Sequence, residues 1–388
     1  MKMNPLLKLE SFGQSIWMDF IRRGAIDSGE LARFIEQDGV LGVTSNPSIF
    51  EKAIAETHDY DAQIRTLALQ GESTAAIYQA LTVEDIQRAA DLLRPAYDRL
   101  DGRDGFVSLE VSPRLAHDTA ATIAEAHRLW AEVDRLNVLI KVPATPQGLP
   151  AIQQLIGEGI NVNITLLFSL ARYRQVAEAY LAGLERLASQ RKPLERVASV
   201  ASFFLSRLDT LVDPQLEKIR AGGGPAAALA DGLQGELAIA SARAAYQIYR
   251  EIFTGQRFAR LAGLGARPQR LLWASTSTKN PAYSDVKYVE ALIGPETINT
   301  LPVETLEAYR NHGDPAPRLE QGMEKAGEVL ERLSRAGIDV AAVTQQLEDE
   351  GVKKFDQAFD QLMASLEQKQ AATARSTTAS PEQVSSKG

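Results

Sequence analysis

The sequence predicts an α/β protein built as a single closed (β/α)8 barrel, and three observations support that prediction. Short strand-like runs alternate with long amphipathic stretches from the beginning of the chain, a pattern typical of parallel βα units. We count eight strand candidates, and a helix-length connection follows nearly every one of them. The chain length of 388 residues accommodates a barrel of about 250 residues together with additional helices.

The strand candidates are short apolar runs bounded by turn-forming residues. They are Ser15–Phe20, Gly39–Asn46, Gly105–Ser112, Asn137–Pro143, Asn161–Phe168, Val197–Phe204, Arg270–Ser277 and Thr297–Pro302. Eight such strands with intervening helices favour a closed barrel over an open doubly wound sheet.

The segments between the strands have apolar residues at helical spacing, and they predict the outer ring of the barrel. Thr82–Arg99 and Pro113–Leu136 are the clearest helices. Two connections, Pro47–Asp104 and Leu205–Pro268, are long enough to contain several helices each.

The end of the chain divides into a helical part and a tail. Val303–Lys369 is predicted as helices, and we expect its charged stretch Glu348–Lys369 to pack on the barrel. From Gln370 onward the chain has no aromatic residue and almost nothing to bury, which predicts a disordered tail. The predicted domains are therefore a barrel with C-terminal helices over residues 1–369 and a tail over residues 370–388.

Composition excludes several classes of partner and chemistry. With 42 Lys and Arg against 50 Asp and Glu, the net charge of −8 lacks the basic excess of a nucleic-acid binder. No apolar run approaches the roughly 20 residues of a membrane span, and no signal peptide is recognisable, so we expect a cytoplasmic protein without a membrane partner. Without cysteine, and with four histidines that show no metal spacing, we predict no metal site.

Polar residues occupy one face of strand after strand. In the fifth candidate Asn161, Asn163 and Thr165 share a face, opposite to Val162 and Ile164. The same alternation groups Thr44 with Asn46, Glu110 with Ser108, and Ser202 with Phe204. Because a barrel axis is normally filled by Val, Ile and Leu, polar groups towards the downstream strand ends favour convergence on a ligand. An exposed sheet with a solvated face would alternate in the same way, but hairpin turns are absent.

Lys141 is the residue for which the sequence predicts the most specific chemistry. It lies within a strand between Ile140 and Val142, where desolvation disfavours the ammonium form. A neutral amine is a carbonyl nucleophile, which is the chemistry of Schiff-base formation. The alternative is a structural lysine that reaches solvent or pairs with a carboxylate such as Glu110.

Asp19 and Glu110 are carboxylates inside two different strand candidates. Such a pair divides acid and base duties when its environments separate the two pKa values, although single strand acids are often structural. The spacing alone assigns no role to either residue.

The chain resembles transaldolase in three segments: VTSNPSIF (Val43–Phe50), LIKVPATPQG (Leu139–Gly148) and GINVNITLLFSL (Gly159–Leu170). The residues Asp19, Glu110, Ser202, Phe204 and Arg207 also occur in the order that the family requires, so the resemblance covers about Glu10 to Thr300. The length and the helical C-terminal region are more similar to the larger bacterial subgroup. The resemblance implies a cofactor-free enzyme on a circularly permuted TIM barrel of the class I aldolase type.

The resemblance also implies a reaction of the non-oxidative pentose phosphate pathway: a dihydroxyacetone unit moves from sedoheptulose 7-phosphate to glyceraldehyde 3-phosphate, giving erythrose 4-phosphate and fructose 6-phosphate. Lys141 would form the Schiff base, and Glu110 with a water and Thr165 would relay protons during carbinolamine dehydration. Asp19 would remove the C4 hydroxyl proton during carbon–carbon cleavage.

Substrate-binding residues follow from the same match. The hydroxyls of the three-carbon unit would be held by Thr44, Asn46, Asn163 and Ser202, beside Phe204. Arg207 would bind the phosphate with its planar fork. The shorter transaldolases have an arginine after the seventh strand, where this chain offers Ser277 and Lys279, so Lys279 is either the second phosphate ligand or a solvated loop residue.

Two other functions stay open from the sequence. A related Schiff-base aldolase would release free dihydroxyacetone, but the sugar-phosphate aldolases of this superfamily have Gln and Tyr where this chain has Glu110 and Phe204. A barrel retained as a binding protein without turnover is disfavoured by Lys141, Glu110 and Asp19 together. Sugar phosphates are the expected substrates, and the protein is expected to be a monomer or a homodimer.

Overall fold

The computed structural model describes the backbone of residues 4–378 and the side chains of residues 4–372, and it confirms the closed parallel barrel. Eight strands pair in chain order, and the last strand pairs with the first. They are β1 Gln14–Met18, β2 Val40–Thr44, β3 Phe106–Glu110, β4 Val138–Pro143, β5 Val162–Leu167, β6 Ser199–Phe204, β7 Arg270–Ala274 and β8 Thr297–Leu301. All eight strand predictions are confirmed, although β1 begins one residue earlier than predicted, other strands begin up to two residues later, and strands end up to three residues earlier.

Helices enclose the barrel and fill the long connections. They are α1 Arg23–Asp27, α2 Glu30–Asp38, α3 Pro47–Ala55, α4 Asp61–Leu69, α5 Thr74–Arg99, α6 Thr119–Val133, α7 Gly148–Glu158, α8 Leu170–Ser189, α9 Ser206–Gly222, α10 Gly224–Ala230, α11 Leu237–Phe253, α12 Gln256–Ala262, α13 Lys287–Ala291, α14 Val303–His312, α15 Met323–Arg335 and α16 Val340–Thr378. Short 3-10 helices occur at Pro5–Lys8, Glu10–Phe12 and Pro113–Leu115. Among these helices, all within residues 4–378, none combines the length and apolar character needed to cross a membrane.

Side-chain caps explain where two predicted helices differ from the structure. The α5 helix begins eight residues before the predicted Thr82, because the Ser73 hydroxyl accepts a hydrogen bond from the Ala76 amide at 3.2 Å. The predicted segment Pro113–Leu136 is divided, and α6 begins only after Asp118, which accepts from the Ala121 amide at 2.9 Å.

The strand alternation places apolar side chains towards the helices. Val138, Ile140, Val142, Val162 and Ile164 are fully buried between β4–β5 and the helices α6, α7 and α8. This outer layer is the main hydrophobic core. The polar residues that alternate with these apolar residues along each strand therefore face the barrel axis.

A buried ionic cluster joins the amino-terminal ends of several strands. Asp104, in the loop before β3, accepts hydrogen bonds from Trp17 Nε1 at 2.7 Å, from Arg270 Nη1 at 2.9 Å and from the Ser15 hydroxyl. Arg270 also donates to the Thr297 carbonyl at 2.7 Å. The cluster therefore connects β1, β3, β7 and β8 at the end opposite to Lys141.

The C-terminal helix α16 packs on the barrel, as the sequence predicts for Glu348–Lys369, with contacts to α3, α4, α5, α9 and β5. The predicted boundary of the tail at Gln370 differs from the structure, because α16 continues to Thr378. Gln370 accepts a hydrogen bond from the Thr74 hydroxyl at 2.9 Å and donates to the Glu72 carbonyl at 2.8 Å. These contacts and alanine-rich sequence extend the helix, and the rest of the predicted tail, residues 379–388, lies outside the described residues.

We expect Asp104→Ala to lower the free energy of unfolding by about 3–5 kcal/mol, because it leaves the Arg270 charge without its buried partner. Thermal and urea unfolding measure this loss. Asp91→Ala is the matched control, since it breaks an exposed pair with Arg135 and should leave stability unchanged within error. Equal stability of the two variants would contradict a role for the cluster in closing the barrel.

Candidate active site

The polar residues at the carboxyl ends of the strands converge on a cavity of about 630 Å³. This is the end at which barrel enzymes build their active sites. Nine of the residues predicted from the sequence line the cavity: Asp19, Thr44, Asn46, Lys141, Thr165, Ser202, Phe204, Arg207 and Lys279.

Lys141 faces the barrel axis. The sequence left open whether it is exposed to a ligand or paired with a carboxylate, and its side chain combines both features. Its side chain is 5% exposed, and Nζ forms an ion pair with Glu110 Oε2 at 3.1 Å. The same nitrogen donates a hydrogen bond to the Ser45 carbonyl at 3.0 Å. Lys141 also lines the cavity, so it is paired with a carboxylate and accessible to a ligand.

Glu110 lies directly beside Lys141 because β3 and β4 pair in that register. Burial raises the pKa of the Glu110 carboxyl, and the neighbouring Lys141 charge only partly offsets this. A carboxylate with a raised pKa beside an amine can accept its proton. The pair therefore has the arrangement that an amine nucleophile and its base require.

Asp19 follows β1, lines the cavity and is half-buried. Its Oδ1 accepts a hydrogen bond from the Thr44 hydroxyl at 2.7 Å. Burial raises the pKa of Asp19, against the opposing effects of Lys141, the Thr44 hydrogen bond and Arg207. Both acids predicted from the sequence therefore favour protonation more than an exposed carboxylate does.

A layer of polar side chains lies below the cavity and supports it. Asn163 is fully buried, donates to the Ser108 hydroxyl at 2.9 Å and accepts from the Ser202 hydroxyl at 2.7 Å. Ser202 reaches the cavity, whereas Asn163 acts on it through Ser202. Thr165 lines the cavity, and its buried hydroxyl has no hydrogen-bond partner within the described chain.

Asn46 combines a structural contact with a position in the cavity. It caps α3, and its Oδ1 accepts a hydrogen bond from the Ile49 amide at 3.1 Å. Because the oxygen is engaged in the cap, the side-chain amide nitrogen is the group that Asn46 can offer to a ligand.

Two cations lie at another part of the cavity. Arg207, in the first turn of α9, lies 5.5 Å from the centre of the Phe204 ring. Burial lowers the pKa of Arg207, and among residues 4–372 its buried Nη1 has no hydrogen-bond partner. Lys279 is exposed and donates to the Ser277 hydroxyl at 2.6 Å. Because both residues line the cavity, an oxyanion placed between them would meet two positive charges.

The loop that holds Lys279 is attached to α9 at both ends. Near its start, the hydroxyls of Ser206 and Ser275 are 2.9 Å apart. Near its end, the Tyr283 hydroxyl donates to Asp213 Oδ2 at 2.7 Å. Because Arg207 lies on the same helix, the two cations are held in a defined relative position.

The sequence analysis missed several cavity residues, and two of them, Thr300 and Phe355, lie directly beside predicted site residues. The Thr300 hydroxyl, on β8, is 2.9 Å from the hydroxyl of Thr44. The Phe355 ring, on α16, lies with its centre 5.8 Å from Lys141 Nζ. The parity of β8 could have indicated Thr300. No local signal distinguishes Phe355 from other apolar residues of its helix.

The histidines take no part in the cavity, and the residues with described side chains include no group of three or more His, Asp or Glu arranged to hold a metal ion. His127 and His312, for example, pair with the surface carboxylates Glu158 and Asp285.

Comparison with known proteins identifies relatives over nearly the whole chain. A family model described as transaldolase/fructose-6-phosphate aldolase matches residues 16–366. Transaldolase 2 of Nostoc sp. is 48% identical over 374 residues, which cover 95% of this chain and 98% of that relative. Transaldolases of Thiobacillus denitrificans and Thermobifida fusca are 49% and 48% identical, cover 94% and 95% of this chain, and are themselves covered over 100% and 99%.

We expect Asp19→Asn to raise the free energy of unfolding at pH 7.5 by on the order of 1 kcal/mol, because it removes a half-buried charge whose pKa is raised and retains an acceptor for Thr44. Because the pKa of Asp19 is higher in the folded state than in the unfolded state, protonation of Asp19 stabilises the folded wild type. This stabilisation is complete below the unfolded-state pKa and is lost as the pH rises through the folded-state pKa. The gain should therefore shrink when thermal unfolding is repeated at lower pH.

Asp101→Asn is the control for this substitution, since the Asp101 side chain is 96% exposed. It should leave the unfolding temperature unchanged at both pH values. An Asp19→Asn variant less stable than the wild type at pH 7.5 would contradict the effect assigned to burial.

Proposed function

The chain belongs to the transaldolase/fructose-6-phosphate aldolase family, and we propose that it acts as a transaldolase through a Schiff base on Lys141. The reaction transfers a dihydroxyacetone unit from sedoheptulose 7-phosphate to glyceraldehyde 3-phosphate, giving erythrose 4-phosphate and fructose 6-phosphate, as in the non-oxidative pentose phosphate pathway. The single observation that supports this mechanism most strongly is the buried pair of Lys141 and Glu110 beside the cavity.

Schiff-base formation begins with proton transfer within that pair. Glu110 takes the proton of Lys141, and the neutral amine attacks the ketose carbonyl. The carbinolamine then loses water, for which Glu110 supplies the proton. A water bound at the unpaired Thr165 hydroxyl can relay this proton between the carboxyl and the substrate.

Carbon–carbon cleavage requires a base at the C4 hydroxyl. Asp19 lies at the cavity rim with one oxygen fixed by Thr44, so its other oxygen can accept this proton. As the proton leaves, the C3–C4 bond breaks, the aldose departs and the electron pair enters the iminium to form an enamine. When the enamine later attacks the acceptor aldehyde, Asp19 returns the proton to the oxygen of that aldehyde.

The remaining polar residues hold the three-carbon unit while the acceptor arrives. Thr44, Asn46 and Ser202 line the cavity and present hydrogen-bonding groups to the hydroxyls. Asn163 orients Ser202 from below. Phe204 forms an apolar wall and is packed against Phe168 with ring centres 5.2 Å apart.

We assign the phosphate to Arg207 and Lys279. Arg207 offers a planar fork from the start of α9, and Lys279 offers a point charge from the adjacent loop. The attachment of this loop to α9 through Asp213 favours a defined phosphate position over a solvated lysine.

The alternatives are less well supported. An aldolase that releases free dihydroxyacetone is disfavoured by the sequence argument on Glu110 and Phe204, and the relatives given above are named transaldolase. A binding protein without turnover would have no need of the Lys141–Glu110 pair within reach of Asp19. A cytoplasmic location and a monomeric or homodimeric state stay predictions, which cell fractionation and sedimentation would test.

We expect borohydride reduction with fructose 6-phosphate to attach the sugar-derived unit to Lys141, as identified by peptide mapping. Lys141→Ala should fold and give neither an adduct nor turnover. Asp19→Asn should keep the adduct and lose most transfer in a coupled assay with defined sugar phosphates, because it lacks the base for cleavage and not the nucleophile. An adduct at another lysine would overturn the assignment.

We expect Arg207→Ala to raise KM for fructose 6-phosphate by roughly 100-fold and Lys279→Ala by roughly tenfold. The effect is larger for Arg207 because its planar guanidinium can form two hydrogen bonds with the phosphate, whereas Lys279 offers a single point charge. Competitive inhibition by inorganic phosphate should weaken in parallel. Lys192→Ala is the control, because this exposed lysine precedes β6 at the opposite end of the barrel. If Lys279→Ala matches Lys192→Ala, Lys279 is only a solvated loop residue.

A further inference from the structure

The helix α16 brings an aromatic ring to the Schiff-base lysine from outside the barrel strands. Phe355 is 4% exposed, lines the cavity and lies with its ring centre 5.8 Å from Lys141 Nζ. It therefore closes a side of the cavity that the strands leave open. An apolar ring at this position offers no hydrogen bond to a water on its own side of the reacting atoms, unlike the Thr165 hydroxyl.

Contacts along α16 hold this ring in place. Glu348 pairs with Arg172 at 3.4 Å in a largely buried position, and Lys369 pairs with Asp61 at 2.6 Å. These ion pairs lie on either side of Phe355 in the chain. The ring is thus positioned by a helix attached to the barrel at both ends of its packed segment.

The same helix approaches the barrel closely one turn before the ring. A Cβ atom at Gly351 would lie 2.9 Å from Leu166 Cδ2 and 3.7 Å from Arg207 Nη1. Because Gly351 has no side chain, α16 can pack closely against β5 and α9. This close approach sets the depth at which Phe355 enters the cavity.

We propose that Phe355 keeps water away from the enamine carbon on Lys141 and so, in addition to Glu110 and Phe204, favours transfer of the dihydroxyacetone unit over its release. This inference rests on the proposed function. Phe355 is a positioning residue, since it exchanges no proton and acts by shaping the space around the reacting carbon.

The competing release is a hydrolysis and needs no oxidant or reductant. The enamine carbon gains a proton, which regenerates the iminium, and water then adds to the iminium carbon. The bond between that carbon and Lys141 Nζ breaks, which gives free dihydroxyacetone and the lysine amine. In transfer, the same enamine carbon forms its new bond to the acceptor aldehyde instead, and water then frees the ketose product from Lys141 Nζ in the same way. The two routes therefore differ at the enamine carbon, where a proton delivered by water competes with the aldehyde.

The test measures two rates in each variant with fructose 6-phosphate as donor: dihydroxyacetone release without acceptor, and transfer to erythrose 4-phosphate. We expect Phe355→Ala to raise the ratio of release to transfer by roughly tenfold, and Phe355→Val to raise it less. Phe355→Leu, which restores most of the apolar volume, should stay near the wild-type ratio. All three should still give the borohydride adduct at Lys141.

Phe359→Ala is the matched control on the same helix. Phe359 is also buried, but its ring packs 5.4 Å from that of Tyr78, under Arg114, outside the cavity. This variant should lose stability and keep the wild-type ratio. An equal rise in Phe359→Ala would assign the effect to general loosening of α16 and overturn the inference.

Phe355→Val decides the question if Phe355→Ala fails to fold. A wild-type ratio in the folded Phe355 variants overturns the role of Phe355 while leaving the proposed function intact. A wild-type protein that gives neither a Lys141 adduct nor transfer contradicts the proposed function itself, so the two failures are distinguishable.

Discussion

The buried ion pair between Lys141 and Glu110 is the interaction on which the chemistry of this barrel depends. Moving two charges out of water is unfavourable, and each is tolerated only because the other lies 3.1 Å away. The two residues are opposite each other on β3 and β4, so the strand register maintains their contact. Proton transfer within the pair removes both charges at once. In the proposed mechanism, the interaction that permits burial of the lysine is therefore also the one that releases its nucleophilic amine.

Substrate must also be placed at a fixed distance from this amine, and α9 provides that constraint. Arg207 begins the helix, and Asp209 and Asp213 follow it on the side of the neighbouring loop. Burial raises the pKa of Asp209 to about 6, and its Oδ2 accepts a hydrogen bond from Tyr288 at 2.8 Å. Asp213 binds Tyr283 in the same way. These contacts connect α13 and the loop that holds Lys279 to α9, so the proposed phosphate position would be defined relative to Lys141 before substrate binds.

Much of the site could be predicted because strand alternation is a local property of the chain. The parity of β4 and β5 assigned Lys141 and Thr165 to the barrel axis, and both line the cavity. The depth of a residue along the axis is not local, since it depends on how neighbouring strands are staggered. Asn163, expected at the substrate, accordingly lies beneath Ser202. The end of α16 was missed for a related reason, because its contacts reach back to the beginning of α5.

By itself, the sequence determined the number of strands, the face on which each polar side chain stands and the presence of one lysine, Lys141, inside a strand, because residue type and period suffice for these. Only the tertiary structure decided which groups meet. Lys141 and Glu110 form their pair through strand register, and Phe355 reaches Lys141 because Gly351 lets α16 approach Leu166. Such contacts join residues far apart in the chain, and their geometry follows from packing of the whole barrel, which no single segment encodes.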